Sequence, residues 1–193
     1  MMNISAEEQQ DIKQKSAKPM LYLAIISMCM IFGGLTSAYL VRSGDAGWMI
    51  FSLPKAFFVS TAAIVISSLT LLWAMQSAKK DNYTGVMIGM TLTLILGLTF
   101  IVCQFKAWGA LVAQGIFIAG KQSNPAGQFL YIISFAHLLH LIGGIFMLIF
   151  VCIKSYKQLY HSKNLLGLQL CSIYWHFLDL LWIYLFLFLY FTH

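Results

Sequence analysis

Five apolar stretches of about 20 residues each dominate this chain, and each is long enough for a helix to cross the hydrocarbon core of a bilayer. They cover residues 20–41, 53–75, 85–105, 129–153 and 168–191. Helix is the form that fits lipid, because an open strand leaves backbone groups unpaired and five strands cannot close a barrel. Composition agrees. Hydrophobic residues make up 60% of the chain and charged residues 9%, against about 25% charged in soluble domains. The fold class expected is all-α: a polytopic bundle of five transmembrane helices (residues 19–193) behind a cytoplasmic N-terminal segment (1–18).

The net charge of +6 does not indicate nucleic acid, because the basic residues are scattered between apolar runs rather than gathered in a patch. They read as topology determinants. With the N-terminus inside, inner segments hold Lys13, Lys15, Lys18, Lys79, Lys80, Lys154, Lys157 and Lys163. Outer segments hold Arg42, Lys55, Lys106 and Lys121. Eight against four predicts the N-terminus inside and the C-terminus outside. The polar segment before the first run includes Glu7, Glu8 and Asp11, and that run exceeds a signal-peptide core, so a retained span is expected. Cys29, Cys103, Cys152 and Cys171 form no C-x-x-C pair and read as small buried hydrophobes rather than disulfide or zinc residues.

Local signals refine the bundle. Residues 5–8, Ser-Ala-Glu-Glu, predict a short capped helix ahead of the first span. The connection 108–128 holds Gly115, Gly120, Asn124, Pro125 and Gly127, which favour turns, while its first half is apolar enough to prolong the third helix or lie in the interface. Gln104, Trp48, Trp73 and Trp108 read as interface residues. Gly33 and Gly34, Gly97, and Gly143 and Gly144 are expected at helix contacts, where small residues let backbones approach. So are Ser60, Ser67 and Ser68, and Gly85 and Gly89.

Ionisable groups within spans are costly and point to function by default. His137 and His140 lie in the fourth apolar run, His176 and Asp179 in the fifth, and each pair has i, i+3 spacing that places it on one helix face. If these two runs form a hairpin turning near Tyr160, His140 and Asp179 share a depth of about 16 Å, near the bilayer centre. His176 is then level with Gly143. Asp179 is therefore expected to pair with His140 as an interhelical clamp. A lipid-headgroup or proton-related site and a metal site are the other readings. A bundle di-iron centre is disfavoured because Asp179 is the one acidic residue in the apolar runs. No phosphate loop or nucleophile elbow appears.

At these residues the chain resembles a known family. Tyr174-Trp175-His176-Phe177-Leu178-Asp179-Leu180-Leu181-Trp182 closely resembles the last-helix signature of cytochrome c oxidase subunit III. Phe135-Ala136-His137-Leu138-Leu139-His140-Leu141-Ile142-Gly143 resembles the preceding helix. Ser27-Met28-Cys29-Met30-Ile31-Phe32-Gly33-Gly34 with Ser37-Ala38-Tyr39, Ser67-Ser68-Leu69-Thr70, and Leu96-Gly97-Leu98-Thr99-Phe100 with Gln104 resemble the first three core helices. The five-helix form resembles the bacterial version. Met28 and Ala107 stand where the family commonly has glutamates.

The resemblance implies a non-catalytic subunit of a haem–copper terminal oxidase in the bacterial plasma membrane. It implies haem and copper in subunits I and II and no redox centre or metal in this chain. Its implied partners are subunit I, subunit II, a small subunit IV, phospholipid and a larger respiratory supercomplex. Its implied structural or lipid-site residues are His137, His140, His176, Asp179, Trp175 and Trp182. A quinol oxidase third subunit, a nitric oxide reductase accessory subunit, and a small transporter or metal-binding membrane protein are the alternatives. The scarcity of proline within the runs speaks against a transporter with broken helices.

Overall fold

The computed structural model describes residues 6–44, 48, 52–120, 123–156 and 165–192. They form five helices: α1 (Ala6–Ser43), α2 (Lys55–Lys79), α3 (Tyr83–Ala113), α4 (Pro125–Tyr156) and α5 (Leu166–Phe191). All five carry a span long and apolar enough to cross a membrane, and the chain is a multi-pass membrane protein. The hairpin turn expected near Tyr160, together with Ser5, Lys121, Lys157 and Lys163, lies outside the described residues.

Two boundaries differ from expectation. The separate N-terminal helix is not separate: α1 runs unbroken from Ala6 through Pro19. One proline removes a single backbone donor, and neighbouring turns continue the helix past it. The third helix takes up part of the long outer connection, continuing to Ala113. At 31 residues it is about 46 Å long and overreaches the hydrocarbon core of about 30 Å. Gly115 and Gly120 then turn the chain with positive φ (79° and 114°). The Tyr131 hydroxyl ties the turn back to α4 by donating to the Ile116 carbonyl (3.0 Å). Asn124 starts α4 by accepting from the Ala126 N–H (3.0 Å), with Pro125 in the first turn.

The helices are not packed evenly. Among the described residues α2 and α3 share the most extensive contact, α5 packs on α1, α2 and α4, and α1 packs on α4 and α5. Half of the α5 span is buried but only 22% of the α1 span, so α5 is the central helix and α1 lies at the edge. The α2–α3 seam is made of small residues. A methyl group at Gly89 would stand 2.8 Å from the Ala74 Cβ, and one at Gly85 would stand 2.6 Å from the Ser77 Oγ. Thr70 and Thr93 hydrogen-bond across the same seam (2.8 Å). In lipid such close backbone approach and interhelical hydrogen bonding take over the role of hydrophobic collapse.

Gly33 and Gly34 do not join this scheme. Nothing outside their own helix comes within 4 Å of a methyl group built at either. They lie on the outward face of α1, because Phe32, Thr36 and Tyr39 form the inward one. Gln104 is also displaced from its expected place. It is 1% exposed rather than at the interface, because the longer α3 places position 104 within the bundle.

Candidate functional site

The polar residues of α4 and α5 divide between two sets of neighbours. On α5, Trp175, His176, Asp179 and Trp182 turn mainly toward α2. The Trp175 indole N–H donates to the Ser67 hydroxyl (3.0 Å), and the Trp182 indole N–H donates to the Thr61 hydroxyl (3.0 Å). The His176 Nδ1 lies 2.6 Å from the Ser68 Oγ in a third hydrogen bond. These contacts have one cause. The two tryptophans are seven residues apart, as are Thr61 and Ser68, so each set lies on one face two turns apart. Opposed in antiparallel helices, the sets meet in register.

Both tryptophans are anchored further. Trp175 is fully buried, with its ring over Gly97 of α3 and Gly144 of α4. A methyl group at Gly97 would stand 2.8 Å from its Cη2. Trp182 stacks on Phe57 (6.0 Å between centroids) and meets Phe100 edge-on (4.9 Å). Such aromatic pairs add about 0.5–1.5 kcal/mol beyond the area they bury.

The expected clamp between Asp179 and His140 is not formed. Both Asp179 oxygens are buried and make no hydrogen bond of ordinary geometry; the neighbour the carboxyl meets is the Ser68 hydroxyl of α2, not His140. The His140 Nδ1–H instead donates to the Ala136 carbonyl of its own helix (2.7 Å), and its ring stands 5.6 Å from Phe32 of α1. The axial level is near what the hairpin register gives, since Gly144, one turn from His140, meets Leu178, Tyr174 and Trp175, and the Tyr174 hydroxyl reaches along to donate to the His140 carbonyl (3.1 Å). The side chains point apart around the helix axes. His140 turns to α1, whereas Asp179 shares the face of Trp175 and Trp182. Gly143 faces the Tyr174 hydroxyl (3.8 Å from a built methyl group), not His176.

His137 lies at the centre of the bundle. It is fully buried, and its ring stands 5.0 Å from Trp182, 5.9 Å from Phe100 and 6.4 Å from Phe32. Neither ring nitrogen meets a protein partner, nor does either amide atom of Gln104 or the His176 Nε2.

The fold brings Ser68, His176 and Asp179 together, a set that spacing along the chain does not reveal. It is not a nucleophilic relay. In a relay the acid holds the second ring nitrogen of the histidine, whereas the His176 Nε2 is unpartnered and Asp179 neighbours the Ser68 hydroxyl instead. Among the described residues no three His, Cys, Asp or Glu side chains converge as a metal site would require. Sequence reasoning missed Thr61 as a functional hydroxyl. Its spacing of seven from Ser68, matching that of the tryptophans, is the signal that reveals it.

Comparison with known proteins decides the affiliation. A family model described as cytochrome c oxidase subunit III matches residues 49–193. The chain belongs to the cytochrome c oxidase subunit III family. It is 31% identical over 171 residues to a probable cytochrome c oxidase subunit 3 of Nocardia farcinica, covering 86% of this chain and 83% of that one. Cytochrome c oxidase subunit 3 of Thermostichus vulcanus is 28% identical over 176 residues, covering 88% and 84%. Cytochrome bo(3) ubiquinol oxidase subunit 3 of Pseudomonas aeruginosa is 27% identical over 170 residues, covering 86% and 79%. Membership of this family makes the chain a component of a terminal oxidase complex, associated with other oxidase subunits. Met28 and Ala107, where the sequence resemblance leads one to expect glutamates, are both interior: Met28 is 7% exposed and Ala107 fully buried.

Proposed function

We propose that this chain is the non-catalytic third subunit of a bacterial cytochrome c oxidase, and that it stabilises the catalytic subunit in the plasma membrane. In this reading haem and copper belong to subunits I and II. Subunit I is the main neighbour, and subunit II and a small subunit IV are further partners. The N-terminus faces the cytoplasm. Trp175, Trp182 and His176 hold α2 against α5, His137 fills the bundle centre, and the half-buried His140 is a candidate contact for phospholipid.

One observation carries the reading. Trp175, Trp182 and His176 of the signature each bond a hydroxyl of α2, and His137 is enclosed by aromatic rings, so these polar groups join helix to helix. Groups used this way hold a scaffold. A second reading, the third subunit of a quinol oxidase, is supported by the similarity to the Pseudomonas aeruginosa protein.

The electron donor separates the two. The complex that co-purifies with a tagged copy of this chain is supplied with reduced cytochrome c or with a quinol, and oxygen uptake is recorded. Uptake with cytochrome c supports the first reading. Uptake with quinol alone replaces it with the second.

A further inference from the structure

Gln104 and His137 are the two most deeply buried polar side chains without protein partners, at 1% and 0% exposure. They belong to adjacent helices, and the contacts around them fix their relative level. On α3, Phe100, Gln104 and Trp108 succeed one another at four-residue intervals along one side. The Phe100 ring stands 5.9 Å from His137. One turn beyond Gln104, the Trp108 indole N–H donates to the Ser134 hydroxyl (3.0 Å). Ser134 and His137 are one turn apart on α4. Gln104, midway between Phe100 and Trp108, therefore faces the Ser134–His137 turn. One turn along the same helix Ala107, also fully buried, offers only a methyl group and no competing polar atom.

From this we infer that Gln104 and His137 form an internal binding site for an ordered water molecule between α3 and α4. The chemistry selects water over an ion. The amide offers two N–H donors and one acceptor oxygen, and a neutral imidazole offers one donor and one acceptor. A cation would find no carboxylate among these atoms. An anion would face an acceptor in each side chain. Water both donates and accepts, and it fits a mixed set of this kind. A buried water commonly makes about three hydrogen bonds to otherwise unsatisfied groups. The rings of Trp182 and Phe32 flank His137 from α5 and α1, and Phe100 bounds it one turn along α3 from Gln104. The water would join α3 to α4 one turn from the direct Trp108–Ser134 bond.

The test uses the intact oxidase complex, purified through a tag on this chain. A density map fine enough to show ordered solvent is expected to contain a peak within hydrogen-bonding distance of both the Gln104 amide and a His137 ring nitrogen. A direct Gln104–His137 hydrogen bond, or no peak between them, overturns the proposal. A thermal-melting cycle of the same complex provides an independent readout. Gln104→Leu and His137→Phe should each lower the melting temperature, because each leaves the water and the remaining partner unsatisfied. The double variant should lose less than the sum of the two. If either single substitution raises the melting temperature, the groups are unsolvated and the proposal fails.

Discussion

Adding one methyl group at Gly97 should weaken the bundle by a predictable amount. The new Cβ would stand 2.8 Å from the Trp175 Cη2 and 3.1 Å from its Cζ2, closer than carbon atoms pack. The ring has little freedom to retreat. It is fully buried, lies over Gly144 on its other side, and is tethered through its N–H to Ser67. Overpacking of this kind costs about 1–3 kcal/mol, and loss of the tether adds about 1 kcal/mol. The higher helix propensity of alanine returns up to about 1 kcal/mol. The net expectation is a loss of about 1–3 kcal/mol. For a chain of this size, that lowers the melting temperature by roughly 3–10 °C. The assay heats the purified complex in detergent and follows release or aggregation of this chain. Gly109→Ala is the matched control, since nothing lies within 4 Å of a methyl group there, and its melting temperature should hold or rise. Trp175→Phe combined with Gly97→Ala should recover part of the loss by shortening the ring. A Gly97→Ala complex that melts at or above the wild-type temperature would refute the packing described around Trp175.

Other outcomes follow from the α2–α5 contact. Asp179→Asn should leave the melting temperature unchanged or raise it, because an amide oxygen can meet the neighbouring Ser68 hydroxyl as the carboxyl does; a fall of more than about 5 °C would reveal a charge-dependent partner worth more than about 1 kcal/mol. Ser68→Ala should cost about 0.5–1.5 kcal/mol by leaving His176 without its bond, and Ser68→Thr should restore it.

The five spans were legible because hydrophobic length alone defines a membrane helix. The depth relation of α4 and α5 was legible from residue counting. What counting cannot supply is direction around each axis. In a soluble bundle the apolar face marks the interior, but here every face is apolar. His140 and Asp179 accordingly matched in depth and yet point to different helices. Glycine has the same ambiguity: Gly97 meets Trp175, whereas Gly33 and Gly34 lie outward on the peripheral helix. By sequence Gln104 is an end-of-span residue, because the apolar run weakens at Lys106, whereas α3 continues to Ala113. The hydroxyls of α2 gain meaning only when set against the tryptophans of α5, a pairing between residues more than a hundred positions apart.

Purification of the native complex tests the central claim most directly. A tagged copy of this chain, expressed at its natural level and extracted in mild detergent, is predicted to bring with it a haem-bearing first subunit and a copper-bearing second subunit. The preparation should show the reduced-minus-oxidised spectrum of a haem–copper oxidase and consume oxygen. A chain recovered without haem protein, or with a haem protein that does not reduce oxygen, would contradict its assignment to a terminal oxidase.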